Sequence, residues 1–144
     1  MTPCQKIKRD ILLIVQGLGA SSEASAREKA LIASLDTGIT AETVDLQYNE
    51  LVELKLHWDY EYEFREGQVE TKLPCEYSRH YEAKAVARKM TDDTWVGWVY
   101  WYGGGKHGNP EGVEWMEDAY DLELTETEKL VVVQEFKRIN DKTS

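Results

Sequence analysis

The stretch from Trp95 to Tyr120 constrains this 144-residue chain more than any other. It opens with Trp95-Val-Gly-Trp98-Val-Tyr100-Trp101-Tyr102, which is apolar on both faces, as a central strand covered on each side would be. Gly103-Gly104-Gly105-Lys106-His107-Gly108 follows, and then Asn109-Pro110-Glu111-Gly112-Val113-Glu114-Trp115-Met116-Glu117-Asp118-Ala119-Tyr120. The expected order is an aromatic strand, a glycine loop and an acidic helix. Asn109 can cap that helix and Pro110 suits its first position. Val113, Met116, Ala119 and Tyr120 would face inward, with Glu111, Glu114, Asp118 and Asp121 as an acidic stripe at helical spacing.

The remaining elements can be arranged around that strand. Tyr81, Ala83, Ala85 and Ala87 alternate with Glu82, Lys84, Val86 and Arg88. This predicts a second strand pairing with Trp95–Tyr102 across Thr91-Asp92-Asp93-Thr94, small side chains lying opposite large rings. Val52, Leu54, Leu56, Trp58, Tyr60, Tyr62 and Phe64 alternate with charged residues and His57, which predicts one long strand with seven apolar residues on one face. Glu66-Gly67 would turn it into a hairpin with Val69, Thr71 and Leu73. Ahead of these, Ile7, Ile11, Ile14, Val15 and Leu18 repeat at helical spacing over Gln5–Leu18. A second helix, capped by Ser21 or Ser22, is expected to run to Leu35 before Gly38. Residues 39–49 carry both helix and strand signals, with a short helix preferred. Leu122 and Leu124 suggest a short strand, and Leu130–Phe136 a last one. The fold class is α+β: one or two N-terminal helices, an antiparallel sheet of about four to six strands, and one helix inserted after the glycine-rich loop. No linker divides the chain, so a single domain over residues 1–144 is expected.

Composition narrows the function. The net charge is −10, from 17 basic and 27 acidic residues. That sign repels phosphate backbones, so direct nucleic-acid binding is disfavoured and a protein partner with a basic surface is favoured. No apolar run approaches a membrane span, and no secretion-signal layout opens the chain, which points to the cytoplasm. Cys4 and Cys75 stand far apart in no paired motif, so reduced thiols are expected.

Chemistry-bearing motifs are sparse. The loop Gly103–Gly108 leading into a helix is the arrangement that binds anions, with Lys106 and His107 adding positive charge. It lacks the spacing of a Walker A loop, and Glu111 and Glu114 would oppose an anion. Cys75, His80 and His107 have no metal-ligand spacing. Neither a nucleophile with its base nor an acid–base pair stands out among so many carboxylates. No cofactor is implied. The tryptophans and tyrosines differ in kind, because rings left at a surface are the residues that anchor protein interfaces. The candidate binding residues are Trp101, Tyr102, Lys106, His107, Glu111, Glu114 and Asp118.

Tyr100-Trp101-Tyr102-Gly103-Gly104-Gly105-Lys106-His107-Gly108, with Trp115-Met116-Glu117-Asp118-Ala119-Tyr120 and Ser78-Arg79-His80-Tyr81-Glu82, resembles uncharacterised small proteins of bacteriophages and prophages. The resemblance covers the second half of the chain and brings no catalytic residues. It implies a viral accessory setting, in which a small acidic protein binds or inhibits a host protein, including one that handles nucleic acid. The alternative function is a small-ligand or phosphate-binding protein, or an enzyme, using the Gly103–Gly108 loop.

Overall fold

The computed structural model describes residues 1–105, 108–128, 130, 132 and 134–139. Four helices come first. Helix α1 spans Pro3–Leu18, α2 Ala26–Thr37, α3 Val44–Glu53 and α4 His57–Phe64. Strand β1 is Val69–Glu70, β2 Glu82–Lys89, β3 Trp95–Tyr102 and β4 Tyr120–Leu122. The four strands form one antiparallel sheet in the order β1-β2-β3-β4. The architecture is therefore α+β, and among the described residues no helix is long and apolar enough to cross a membrane.

Local sequence explains the helix ends. Thr2 and Gln5 form a reciprocal capping box ahead of α1, and Pro3 occupies its first turn. Gly19 ends α1 at φ +69°, a conformation that glycine adopts without strain. Ser25, rather than Ser21 or Ser22, caps α2 by accepting the amide of Glu28 at 3.1 Å. Arg27 on α2 reaches Glu50 and Glu53 on α3, pinning the two helices together at the surface. The short helix preferred for residues 39–49 is present as the first half of α3.

The hairpin expected across residues 91–94 is present in the predicted pairing, with Val86 opposite Trp98 and Ala83 opposite Trp101. Its turn is fastened to α1 by buried Asp10, whose carboxylate accepts the Thr91 amide at 3.0 Å and the Thr91 hydroxyl at 2.8 Å. On one face of the sheet Val86, Val96 and Trp98 join Ile7, Ile11, Leu12 and Val15 of α1 in the core, together with Leu31, Leu35, Val44, Leu51 and Phe64. Trp98 is wholly buried, stacks on Phe64 at 5.9 Å, tilts against Trp115 at 5.3 Å and donates from Nε1 to the Arg65 carbonyl at 2.7 Å. Its polar end is thus satisfied, the condition for burying an indole cheaply. On the opposite face, the side chains of Tyr120 and Leu122 close over Gly97; a Cβ there would lie 2.7 Å from each.

Three sequence expectations need correction. Val52–Phe64 is not a strand: α3 ends at Glu53, Lys55 adopts φ +59°, and α4 begins at His57. Glutamate, lysine and leucine favour helix, and on a helix the two-residue alternation has a different consequence. Each step of two residues turns about 200°, so Tyr60 and Phe64 point inward while Trp58 and Tyr62 point out. Exposure agrees: Phe64 is 3% exposed, Trp58 51% and Tyr62 54%. Consequently β1 pairs with β2, not with residues 52–64. The helical turn after the glycine loop is short, a single 3-10 turn at Pro110–Gly112, and does not extend along Glu114, Asp118 and Asp121. At the C-terminal end, β4 covers Leu122 but not Leu124; residues 130, 132 and 134–136 belong to no strand, and 131 and 133 of the expected last strand lie outside the described residues.

Candidate functional site

With Val52–Phe64 helical and outside the sheet, a cleft opens beside α3 and α4. The edge formed by α3 and α4 faces the irregular segment 111–117, and between them lies a volume of about 260 Å³. Helices contribute Tyr48, Asn49, Val52, His57, Trp58 and Glu61, while Cys4 and Lys8 come from α1. The other wall is Glu111–Glu117. Trp115 and Met116 anchor this wall, since both are buried in the core cluster, and Trp115 leans on Trp98 and Phe64. Glu114 stiffens it by accepting the amides of Met116 at 2.9 Å and Glu117 at 3.1 Å. Glu111, Glu114 and Glu117 remain exposed.

The floor is polar and sheltered. The Tyr48 hydroxyl donates to the Glu61 carboxylate. Burial pushes the Glu61 carboxyl above the usual carboxylate range, against the opposing pull of the Tyr48 hydrogen bond. Tyr48 is itself raised, first by burial and then by the negative charge of Glu61. Burial also raises the Cys4 thiol, so the cleft holds no activated thiolate. Lys8 is occupied by Asp45 at 3.1 Å. His57 is 8% exposed, its ring 4.4 Å from that of Trp58, and its Nδ1 has no hydrogen-bond partner among the described residues.

A second, shallower depression adjoins the cleft. Trp58, Asp59, Tyr62, Asn109 and Glu111 line it, so Trp58 and Glu111 belong to both. Trp58 and Tyr62 stand one helical turn apart on the outside of α4, and the Arg65 guanidinium lies 5.1 Å from the Tyr62 ring. The result is a continuous face that alternates exposed rings with carboxylates.

No protein-family model matches the chain, and no curated protein or solved structure is significantly similar to it.

Of the predicted binding residues, Glu111 and Glu114 come together in the cleft, and Asp118 is exposed but lies beyond its lining. Trp101 is elsewhere, half-buried on β3 opposite Ala83, its carbonyl accepting Arg65 Nη1 at 2.8 Å. Tyr102 stacks on Tyr100 at 5.3 Å with Lys84 5.6 Å from its ring. Lys106 and His107 lie outside the described residues. The glycines of their loop have conformational and packing reasons to be there. Gly103, Gly104 and Gly105 all have positive φ, and a Cβ on Gly104 would stand 2.9 Å from the Tyr81 ring. Sequence reasoning missed Trp58, Tyr62, His57, Glu61 and Glu117. The available signal was the helix-favouring content of residues 53–63, which outweighs the alternation. Among the described residues, no three His, Cys, Asp or Glu side chains converge as a metal site would require.

Proposed function

We propose that this chain is a non-enzymatic binding protein that engages a basic surface of a protein partner through the face made by Trp58, Tyr62, Glu111, Glu114 and Glu117. One observation carries the reading: two half-exposed rings on adjacent turns of α4 share their surroundings with Glu111 at the mouth of a carboxylate-lined cleft. Exposed Trp and Tyr supply contact area at low entropic cost, and flanking carboxylates steer and select a basic partner. A net charge of −10 acts in the same direction at long range. Within the viral accessory setting implied by the sequence resemblance, the partner would be a host protein, and a nucleic-acid-handling one has the required basic surface. The test is affinity purification from the native host at low salt, repeated with Trp58→Ala and with Glu111→Lys/Glu117→Lys. Loss of the same captured protein in both variants supports the reading.

A second reading, small-anion binding beside the glycine loop, has one favourable observation. Arg79 and His80 line a depression of about 660 Å³ with Gly104 and Tyr102. Glu76 and Glu82 share that wall and oppose an anion, and only one 3-10 turn follows the loop among the described residues. A thermal-shift series with nucleotides and phosphorylated metabolites separates the two: a shift abolished by Arg79→Ala would favour this reading.

A further inference from the structure

The sheet has a second apolar face, remote from the cleft beside α4 and independent of the docking proposed there. The helices pack on one side of the sheet, against Val86, Val96 and Trp98. Ala87 and Trp95 alternate to the other side. There Val69, Leu73, Ala87, Trp95, Leu122 and Leu124 line a groove of about 350 Å³ that takes residues from all four strands. Val69, Leu73 and Leu124 are exposed in it. Ala85 and Ala87 are buried, yet they stand outside the core cluster that the helices share.

The same chain carries a segment that matches this groove. Leu130 is 99% exposed, Val132 80% and Phe136 92%, and none of the three belongs to a strand or helix. Their even spacing puts them on one face of an extended chain. Charge is complementary as well: Lys137 and Arg138 follow Phe136, whereas Glu70 and Glu123 flank the groove. The span also fits. From Leu130 to Phe136 an extended chain covers about 20 Å, and three strand spacings separate β1 from β4 by about 14 Å.

The connection decides whose groove is filled. Leu124 is part of the groove wall, so the segment would have to reverse at once to lie on its own sheet. Thr125-Glu126-Thr127-Glu128 holds none of the Gly, Pro, Asn or Asp residues that tight reversals use, and it makes no turn. Its β-branched threonines favour extended backbone instead. We infer that Leu130, Val132 and Phe136 belong to an arm that lies in the groove of a second copy of this chain. Each copy gives one arm and one groove, so the exchange is satisfied by a dimer with a two-fold axis.

Sedimentation equilibrium of the full chain at micromolar concentrations provides the test, and the native chain should be a dimer. Phe136→Asp in the arm and Leu73→Lys in the groove should each weaken that dimer by at least about a hundredfold, because both of its joints lose the contact. Both positions are exposed in the single chain, so circular dichroism should stay unchanged. Trp58→Ala and Glu111→Lys/Glu117→Lys, which probe the docking face, should leave the dimer intact. Mixing the two arm and groove variants separates exchange from other dimers. The Leu73→Lys copy keeps its native arm and the Phe136→Asp copy its native groove, so the mixture should associate where neither variant does alone. No association on mixing would overturn the exchange. A native chain that stays monomeric would overturn it too, and a lower Tm for Phe136→Asp would then put the arm on its own sheet. A dimer indifferent to both substitutions would place the interface elsewhere and overturn the inference.

Discussion

The Tyr48 hydroxyl donates its hydrogen bond to Glu61 on the floor of the cleft, joining α3 to α4 at the point where the two helices meet the 111–117 wall. Burial raises the Glu61 carboxyl above its reference value of 4.5, so the folded state favours its protonated form. The sign of the linkage follows. Stability from this group is fully present below pH 4.5 and is lost as pH rises through the higher folded-state pKa. Glu61→Gln, which keeps a neutral acceptor for Tyr48, should flatten the decline in Tm above that pH. Parallel Tm curves for the two proteins from there to neutrality would contradict this.

Asp10 and Thr91 provide the corresponding join between α1 and the β2–β3 turn. Both carboxylate oxygens are engaged, and Arg9 also reaches Asp10, at 3.1 Å, and Asp92, at 3.2 Å. Asp10→Ala leaves the Thr91 amide and hydroxyl without their acceptor. Hydrogen bonds to a charged group contribute about 1.5–3 kcal/mol each, and the combined loss should be on the order of 3 kcal/mol. Thr91→Val keeps the amide bond and should lose about half as much. Urea denaturation at neutral pH measures both, and equal losses in the two variants would contradict the geometry.

Gly97 is required by contact, not by backbone conformation. Tyr120 and Leu122 occupy the space a side chain would need. Gly97→Ala should therefore displace β4 and cost about 1–3 kcal/mol, the usual range for overpacking. At Gly17, near the end of α1, an added methyl group would have nothing within 4 Å. Gly17→Ala should be neutral or stabilising by up to about 1 kcal/mol, through reduced freedom of the unfolded chain. Thermal unfolding of the pair checks both signs.

The β2–β3 hairpin is legible in the sequence because its alternation and its turn agree: Ala83 and Ala85 fit opposite Trp101 and Val99, and Thr91–Thr94 suits a turn. Helix α1 is legible from its apolar period. Val52–Phe64 misleads because a strict two-residue alternation satisfies a strand completely while satisfying a helix by halves. Here the chain takes the half-satisfied option, and the unsatisfied half, Trp58 and Tyr62, becomes the candidate binding face. Met116 is legible as an inward residue, whereas the burial of Trp115 is not, and the spacing of this segment suggests a helix where core contacts hold an irregular wall. The grouping of Glu111 and Glu114 survives for a different reason from the one their spacing offers. They share an outlook across a cleft from α4, not along a helix with Asp118. Glu117 carries no signal of its own, since its position depends on how Glu114 folds the chain back.

The central claim is that rings on α4 and carboxylates of 111–117 act as one docking face. Its most direct measurement is the affinity of a purified, captured partner for the native chain, for Trp58→Ala and for Glu111→Lys/Glu117→Lys, at low and at physiological salt. The account predicts at least about a tenfold loss in each variant, equivalent to about 1.4 kcal/mol. It also predicts that the native complex weakens with salt and that the charge-reversed variant largely loses this dependence. Unchanged affinity and unchanged salt dependence in both variants, with their folds intact, would contradict it.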